Sequence, residues 1–203
     1  MTSSFSPRKL TSKEAKHYAD AFLLMRDLKH VIQCCEAIIE VLKSPVDKFY
    51  VLQALSDSAV IGYRRCFNSS NGVRVSLRIR GWTDADRLSH EFFLDYGNRH
   101  VAHSINDFEQ SYAYVYVSEN SDGSLARGSI GGGGLFRGGL SSVEADQLKE
   151  LAKKAQESAD AWIKRLSLKL KEQISKMSDE QLLALEMGGA YNHRFDVKSR
   201  RMI

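Results

Sequence analysis

The stretch LKELAKKAQESADAWIKRLSLKL, residues 148–170, decides the fold class of this 203-residue chain. Apolar residues recur in it at intervals of three and four, which is the period of one face of an α-helix. The pattern starts after Ser141 and Glu144, which have the spacing of a capping box, and extends to Met177. At 1.5 Å per residue the helix is expected to be roughly 50 Å long. The sequence therefore predicts a mainly helical protein.

Three upstream stretches repeat the helical period. They cover residues 15–42, the region from Ser44-Pro45 to about residue 67, and residues 84–96. The Ser-Pro pair is typical of an N-cap followed by a proline in the first turn, so the second helix is expected to start there. Residues 178–181 hold another capping pair and predict a short helix after the long one.

Two other stretches alternate apolar with polar residues, which is the period of a β-strand. VRVSLRIR, residues 73–80, taken alone predicts a strand with its arginines on one face, with a loop as the alternative. SYAYVYVSEN, residues 111–120, predicts another strand. Asp122-Gly123 suits a tight hairpin turn after the second of them. We interpret the stretch that follows, RGSIGGGGLFRGG at residues 127–139, as a glycine-rich loop that serves as a flexible connector.

Together these elements predict a mainly α fold. We expect a bundle of about four long helices, with a β-hairpin or small sheet inserted around residues 111–140 before the last long helix. The length fits one domain with a sizeable core, which we place at residues 1–187. Residues 188–203 are basic and are expected to form a loosely held tail.

Composition and charge exclude several classes of protein. The chain is 43% hydrophobic and 27% charged, and its net charge of +4 permits an anionic partner without requiring one. No apolar run approaches the roughly 20 residues of a transmembrane helix, and the first residues lack the apolar core of a signal peptide. Three cysteines are present, two of them adjacent (Cys34, Cys35 and Cys66). This odd number suggests no disulfide framework, so we expect reduced thiols in a cytoplasm.

The segment GNRHVAHS, residues 97–104, is the strongest functional candidate. It follows the third helix, whose residues Leu88, Phe92 and Tyr96 share one side, and helical geometry places Arg99 and His103 on that same side. Burying a lone cation is costly, so the pair is expected to line a cleft, to meet a partner or to lie past the packed region. Alternatively, both are solvated at a helix end, where the helix dipole favours positive charge.

The same segment resembles the HEPN domain family, whose helical bundles carry an Arg-x(4–6)-His motif. The resemblance covers about ten residues, and it is supported by the helical layout. By this match Asn98, His103 and Ser104 take the asparagine, histidine and serine places, whereas the arginine place falls on Gly97. Arg99, one turn before His103, is the candidate to replace that arginine.

The resemblance implies an RNA-directed module. Many members of the family are metal-independent ribonucleases that work as dimers, so it implies single-stranded RNA as substrate, a homodimer, no cofactor, and a cytoplasmic or toxin–antitoxin setting. In an active site His103 would handle protons, Arg99 would steady the phosphate and Asn98 would orient the site. A degenerate relative would bind RNA or nucleotides without cutting. Gly97→Arg, which restores the family's arginine, is then expected to raise activity.

Other cations extend the candidate nucleic-acid surface. Arg64 and Arg65 end the second helix and would supply the missing cation if helices two and three ran parallel; Arg127 and Arg137 flank the glycine run. A zinc site drawn from three histidines is the weaker alternative, because the HEFFL stretch fails the His-Glu-x-x-His pattern. The competing function is a non-enzymatic module that dimerises or binds proteins through the last long helix and the hairpin.

Overall fold

The computed structural model describes residues 6–46, 48–68, 75–101, 109–136 and 138–188. Within these residues the chain forms five α-helices and one β-hairpin: α1 (Lys13–Leu42), α2 (Phe49–Phe67), α3 (Asp84–Tyr96), β1 (Glu109–Glu119), β2 (Leu125–Phe136), α4 (Ser142–Ser175) and α5 (Asp179–Ala184). A π-helical turn, Gly97–Val101, continues α3. The predicted fold class is confirmed: the protein is mainly helical, with a two-stranded antiparallel sheet before the last long helix.

Capping residues fix where the last two helices begin. At the start of α4, the amide of Ser141 donates to Glu144 Oε2 at 2.8 Å, and the amide of Glu144 donates back to Ser141 Oγ at 3.3 Å. Ser178 and Gln181 form the corresponding box at α5. These reciprocal bonds satisfy amides that have no partner within the helix. Both starts were predicted from sequence and are confirmed.

The start of α2 differs from the prediction. The helix begins at Phe49 rather than at Ser44-Pro45. The Ser44 hydroxyl accepts the amide of Val46 at 3.4 Å and so closes a local turn instead of capping a helix. Lys48 takes the N-cap position and makes no side-chain capping bond.

The chain divides into two compact units, Asp20–Trp162 and Met1–Ala19 with Ile163–Ile203. The first has an apolar core to which all four long helices contribute; its largest fully buried side chains include Leu28 of α1, Tyr63 of α2, Phe93 of α3 and Leu148 of α4. In the second unit, Leu166 and Leu170 are buried on α4. There the amide of Gly188 donates to the carbonyl of Pro7 at 2.9 Å.

Residues 75–80, the described part of VRVSLRIR, form no strand. The amide of Leu77 donates to the carbonyl of Cys66 at 2.8 Å, and the amide of Val75 donates to Asp20 Oδ2 at 3.3 Å. Leu77 is buried in the helical core, and Ile79 packs against it. The predicted strand was therefore wrong here, because the alternating apolar residues pack on helices instead of pairing with a strand.

The glycine run is part of the hairpin, so the predicted loop was also wrong. Gly131 pairs with Tyr114 and Gly133 with Tyr112 in the register of β1 with β2. A Cβ atom at Gly131 would lie 2.6 Å from Cε2 of Tyr114, closer than real Cβ contacts allow. Glycine is thus required because tyrosine rings of β1 lie flat across β2, an arrangement that stabilises glycine in strands.

Candidate functional site

The buried face of α3 is displaced from the predicted one. His90, Phe93 and Tyr96 are buried, whereas Leu88 is 69% exposed and Phe92 is 38% exposed. Residues three apart share a helix face, so the packed face continues from Phe93 and Tyr96 into Gly97, which is also buried. The expected stripe through Leu88 and Phe92 was wrong. Residues 92 and 93 are both phenylalanine, so the apolar pattern alone did not show which of the two faces the core.

His90 is enclosed by aromatic rings at the middle of α3. Its Nδ1 lies 2.8 Å from the hydroxyl of Tyr63, and its ring is 4.5 Å from that of Phe67 and 5.5 Å from that of Trp82, between centroids. Burial away from water disfavours the imidazolium and lowers the pKa of His90 to about 4. Burial likewise raises the pKa of the Tyr63 hydroxyl. The pair is an uncharged hydrogen-bonded link between α2 and α3.

The lowered pKa predicts an acid-labile fold. The unfolded chain binds a proton at this imidazole below about pH 6.5 and the folded protein only below about 4, so the free energy of unfolding decreases as the pH falls through that window. We expect His90→Gln to remove about 1–3 kcal/mol of the decrease, measured by urea denaturation at pH 7.5 and pH 4.5. His30→Gln is the control, because that ring is exposed. An unchanged pH dependence in His90→Gln would contradict the assignment.

Gly97 lies in close contact with α2. A Cβ atom on it would be 3.0 Å from Val60 Cγ1 and 3.3 Å from Arg64 Cδ. Its backbone is ordinary right-handed helix, with φ −65° and ψ −31°, so close packing rather than backbone conformation favours a small residue here. The π-helical turn begins at this residue. Such turns often occur at functional sites, because they redirect the side chains that follow.

Arg64 therefore lies beside the position where the family resemblance expects an arginine. Helices α2 and α3 run in opposite directions, as the contacts of Phe67 with Trp82 and of Val60 with Gly97 indicate. The parallel arrangement considered from sequence is thus wrong, yet Arg64 still reaches Gly97. Its Nε is buried and has no hydrogen-bond partner within the described residues.

Of the other predicted residues in the segment 97–104, the structure describes Asn98 and Arg99. Arg99 is exposed, and its Nε donates to Asp95 Oδ1 at 2.8 Å, one turn earlier on the helix. Asn98 is half-buried. His103 and Ser104 lie outside the described residues.

The remaining cations are not gathered at this turn. Arg65, next to Arg64, points toward α1, where its Nη2 lies 3.7 Å from the buried carboxylate of Asp27. Arg127 is exposed on β2 of the hairpin, and Arg137 lies outside the described residues. Of the four cations proposed from sequence, Arg64 is the one that the described structure brings to Gly97.

Metal and thiol chemistry find little support in the described part of the chain. No group of three or more His, Cys, Asp or Glu side chains there could hold a metal ion. His90, one member of the zinc alternative, is instead bonded to Tyr63. The three cysteines form no disulfide and are buried, and burial raises the pKa of Cys35 to about 12. A thiol with so high a pKa is a poor nucleophile.

Two features were missed from sequence: the link between Tyr63 and His90, and the pairing of the tyrosines of β1 with the glycine run of β2. The first gave no usable signal, because a histidine on an apolar face has many possible partners. The second was signalled by three tyrosines at alternate positions opposite glycines.

Comparison with protein-family models, with curated proteins and with solved structures finds no match for this chain. Among the described helices, none is long and apolar enough to cross a membrane. Any functional assignment therefore depends on the residues and geometry described above.

Proposed function

We propose that the protein is a HEPN-like RNA-directed module, and that it acts as a metal-independent endoribonuclease in the cytoplasm. The observation that supports this most is the position of Arg64. Its side chain lies against Gly97, the place where the family motif has its arginine, so the cation that the motif lacks is supplied from the neighbouring helix. Arg64 thereby replaces Arg99 as the leading phosphate ligand in this proposal.

The proposed reaction uses the nucleophile of the substrate itself. His103 removes the proton from an RNA 2′-hydroxyl, whose oxygen attacks the adjacent phosphorus while the bond to the 5′-oxygen of the next nucleotide breaks. The leaving 5′-oxygen takes up a proton from water, and His103 returns the proton it removed to the solvent. The products are a 2′,3′-cyclic phosphate and a 5′-hydroxyl. Arg64 stabilises the charge that develops on the phosphate oxygens, and Asn98 orients the substrate.

Arg99 is a second phosphate ligand in this proposal. Its bond to Asp95 is on the surface, where such ion pairs contribute about 0–1 kcal/mol. A phosphate can therefore replace Asp95 at little cost.

The charge distribution also supports an anionic substrate. Residues 1–19 and 163–203 contain 13 Lys or Arg and 6 Asp or Glu, a net charge of +7, whereas residues 20–162 carry −3. The unit formed by residues 1–19 and 163–203 exposes several cations, and none of the following forms an ion pair within the described residues: Lys13, Lys16, Arg165, Lys169 and Lys171. Such a concentration of positive charge attracts the phosphate backbone of nucleic acids.

The proposal predicts cleavage of single-stranded RNA without metal. Purified protein is incubated with labelled RNA and with DNA of the same sequence, both in excess EDTA. We expect the RNA to be cut to fragments ending in a 2′,3′-cyclic phosphate and the DNA to stay intact, because DNA lacks the 2′-hydroxyl. RNA that is bound but not cut would indicate a degenerate, RNA-binding member of the family. Protein that neither binds nor cuts RNA would refute the proposal.

A second candidate is a non-enzymatic protein-interaction module. It is favoured by one specific observation: the β-hairpin exposes large apolar side chains on both of its faces, including Tyr112, Val117 and Ile130. Isolated two-stranded hairpins are marginally stable in water, and exposed apolar patches often mark protein-interaction sites. A partner that covers the hairpin would therefore stabilise it.

A further inference from the structure

The two faces of the hairpin differ in kind. In strands, alternate residues share a face, so Tyr112, Tyr114 and Tyr116 form a tyrosine face. The opposite side, which we call the aliphatic face, is defined by the following residues and their partners in the register: Ser111, Ala113, Val115, Val117 and Glu119 on β1, with Gly134, Gly132, Ile130, Arg127 and Leu125 on β2.

The side chains of the tyrosine face contact one another, although Tyr112, Tyr114 and Tyr116 remain 57%, 38% and 55% exposed. The rings of Tyr114 and Tyr116 are 5.1 Å apart between centroids, and the hydroxyl of Tyr116 donates to that of Tyr114 at 3.2 Å. The ring of Tyr114 lies across Gly131 and Gly133, where added Cβ atoms would come within 2.6 and 3.2 Å of it. These contacts give the tyrosines partners within one chain.

The aliphatic face carries the most exposed apolar side chain of the hairpin. Ile130 is 81% exposed and projects as a knob, beside Val115 at 53%. One step along the register, Ala113 pairs with Gly132, and a Cβ atom added to Gly132 would meet nothing within 4 Å. Here the surface forms a shallow, wide-open hollow of about 510 Å³, lined by Ser111, Ala113, Gly132 and Gly134 of this face together with Tyr112 and Gly133. A knob and a hollow thus lie side by side on one flat face.

We propose that the aliphatic face binds the same face of a second copy of this chain. In a two-fold arrangement each Ile130 enters the hollow over Gly132 of the other copy, and both contacts form at once because the surface is self-complementary. The proposal is independent of RNA cleavage. It gives the interaction-module alternative a definite partner.

Charge favours a second copy over a charged partner. From Ser111 to Gly134 the aliphatic face carries two charged side chains, Glu119 and Arg127, of opposite sign and both near the hairpin tip. The knob and the hollow themselves are uncharged, so they provide nothing to attract a phosphate backbone or an acidic peptide. A surface of the same apolar character is the better match.

The small size of the face favours a weak association. Eleven strand residues at about 3.4 Å each give the length of the face, and two strands spaced about 4.8 Å apart give its width. The product is an area of roughly 350 Å² per chain. This is below the roughly 800 Å² per partner of a standard stable interface. We therefore expect a reversible dimer that forms in the micromolar range and dissociates on dilution.

Sedimentation velocity of the full chain tests the proposal, without RNA, between about 1 and 100 µM. Wild-type protein is expected to shift from monomer to dimer over this range. Ile130→Lys replaces the knob with a charge, and Gly132→Val fills the hollow with a side chain for which a single copy has room. Both variants are expected to remain monomeric at 100 µM with an unchanged circular dichroism spectrum.

Tyr116→Lys is the matched control, because it places the same charge on the other face of the hairpin, and it is expected to dimerise like the wild type. A wild-type protein that stays monomeric at 100 µM would overturn the proposal, as would Gly132→Val or Ile130→Lys protein that dimerises normally. Loss of the dimer in Tyr116→Lys with retention in Ile130→Lys would also overturn it, since it would assign the contact to the tyrosine face.

Discussion

Gly97→Arg is expected to destabilise the protein by about 2–4 kcal/mol and not to raise its activity, although the family resemblance alone favours the opposite. The space beside Gly97 is filled by Val60 and Arg64, which lie 3.0 and 3.3 Å from where a Cβ would be. An arginine there must displace packed side chains and bring a second guanidinium beside Arg64, and both effects cost free energy. Urea denaturation of the two proteins at pH 7.5 measures the difference.

Two further variants separate size from conformation. Gly97→Ala should be nearly neutral, since the backbone of Gly97 is helical and the small loss from crowding is offset by the lower entropy of the unfolded chain. The exchange variant Arg64→Ala with Gly97→Arg should recover much of the lost stability, because the side chain that fills the space is gone. Equal stability of Gly97→Arg and wild type would contradict the packing described for this glycine.

Sequence patterns predicted the elements whose structure depends on near neighbours. The start of α4 at Ser141 and that of α5 at Ser178 follow from side chains that bond to amides three residues away, which a short stretch of sequence contains in full. The hairpin turn at Gly123, with φ 81°, is likewise local. Such features were correct because no distant residue is needed to form them.

The errors occurred where distant partners decide the structure. The alternation in residues 75–80 is real, but the partner of Leu77 is the carbonyl of Cys66 at the end of α2, not a strand. From sequence, Gly131 was predicted to lie in a flexible connector. In the structure the ring of Tyr114, seventeen positions earlier, lies across it. A single pattern cannot distinguish a glycine that loosens a loop from one that accommodates an aromatic ring.

The candidate site shows the same limit. The segment around Asn98 was chosen as a candidate from its own residues. Arg64 was considered as a source of the missing cation, but the approach of Arg64 to this segment was expected only if helices α2 and α3 ran parallel. The approach depends instead on Gly97 letting the end of α3 come close to α2. In the proposed site, the glycine that stands at the motif's arginine place is thus also the residue that lets Arg64 approach that place.

Replacing Arg64 is expected to have the largest effect on cleavage short of replacing His103. Arg64→Met keeps an unbranched side chain over Gly97 but removes the charge, so it should lower the rate of RNA cleavage by roughly 10²–10³-fold, the loss typical for one group that stabilises a transition state. Arg64→Lys should retain part of the rate, and the matched control Arg65→Met should retain nearly all of it, because Arg65 faces Asp27 on α1. His103→Ala should abolish cleavage and defines the background.

Single-turnover cleavage of one labelled RNA in EDTA, with unfolding curves to verify each fold, gives the comparison. Equal rates for Arg64→Met and Arg65→Met would show that Arg64 does not contact the reacting phosphate, and Arg99 would then be the cation to test.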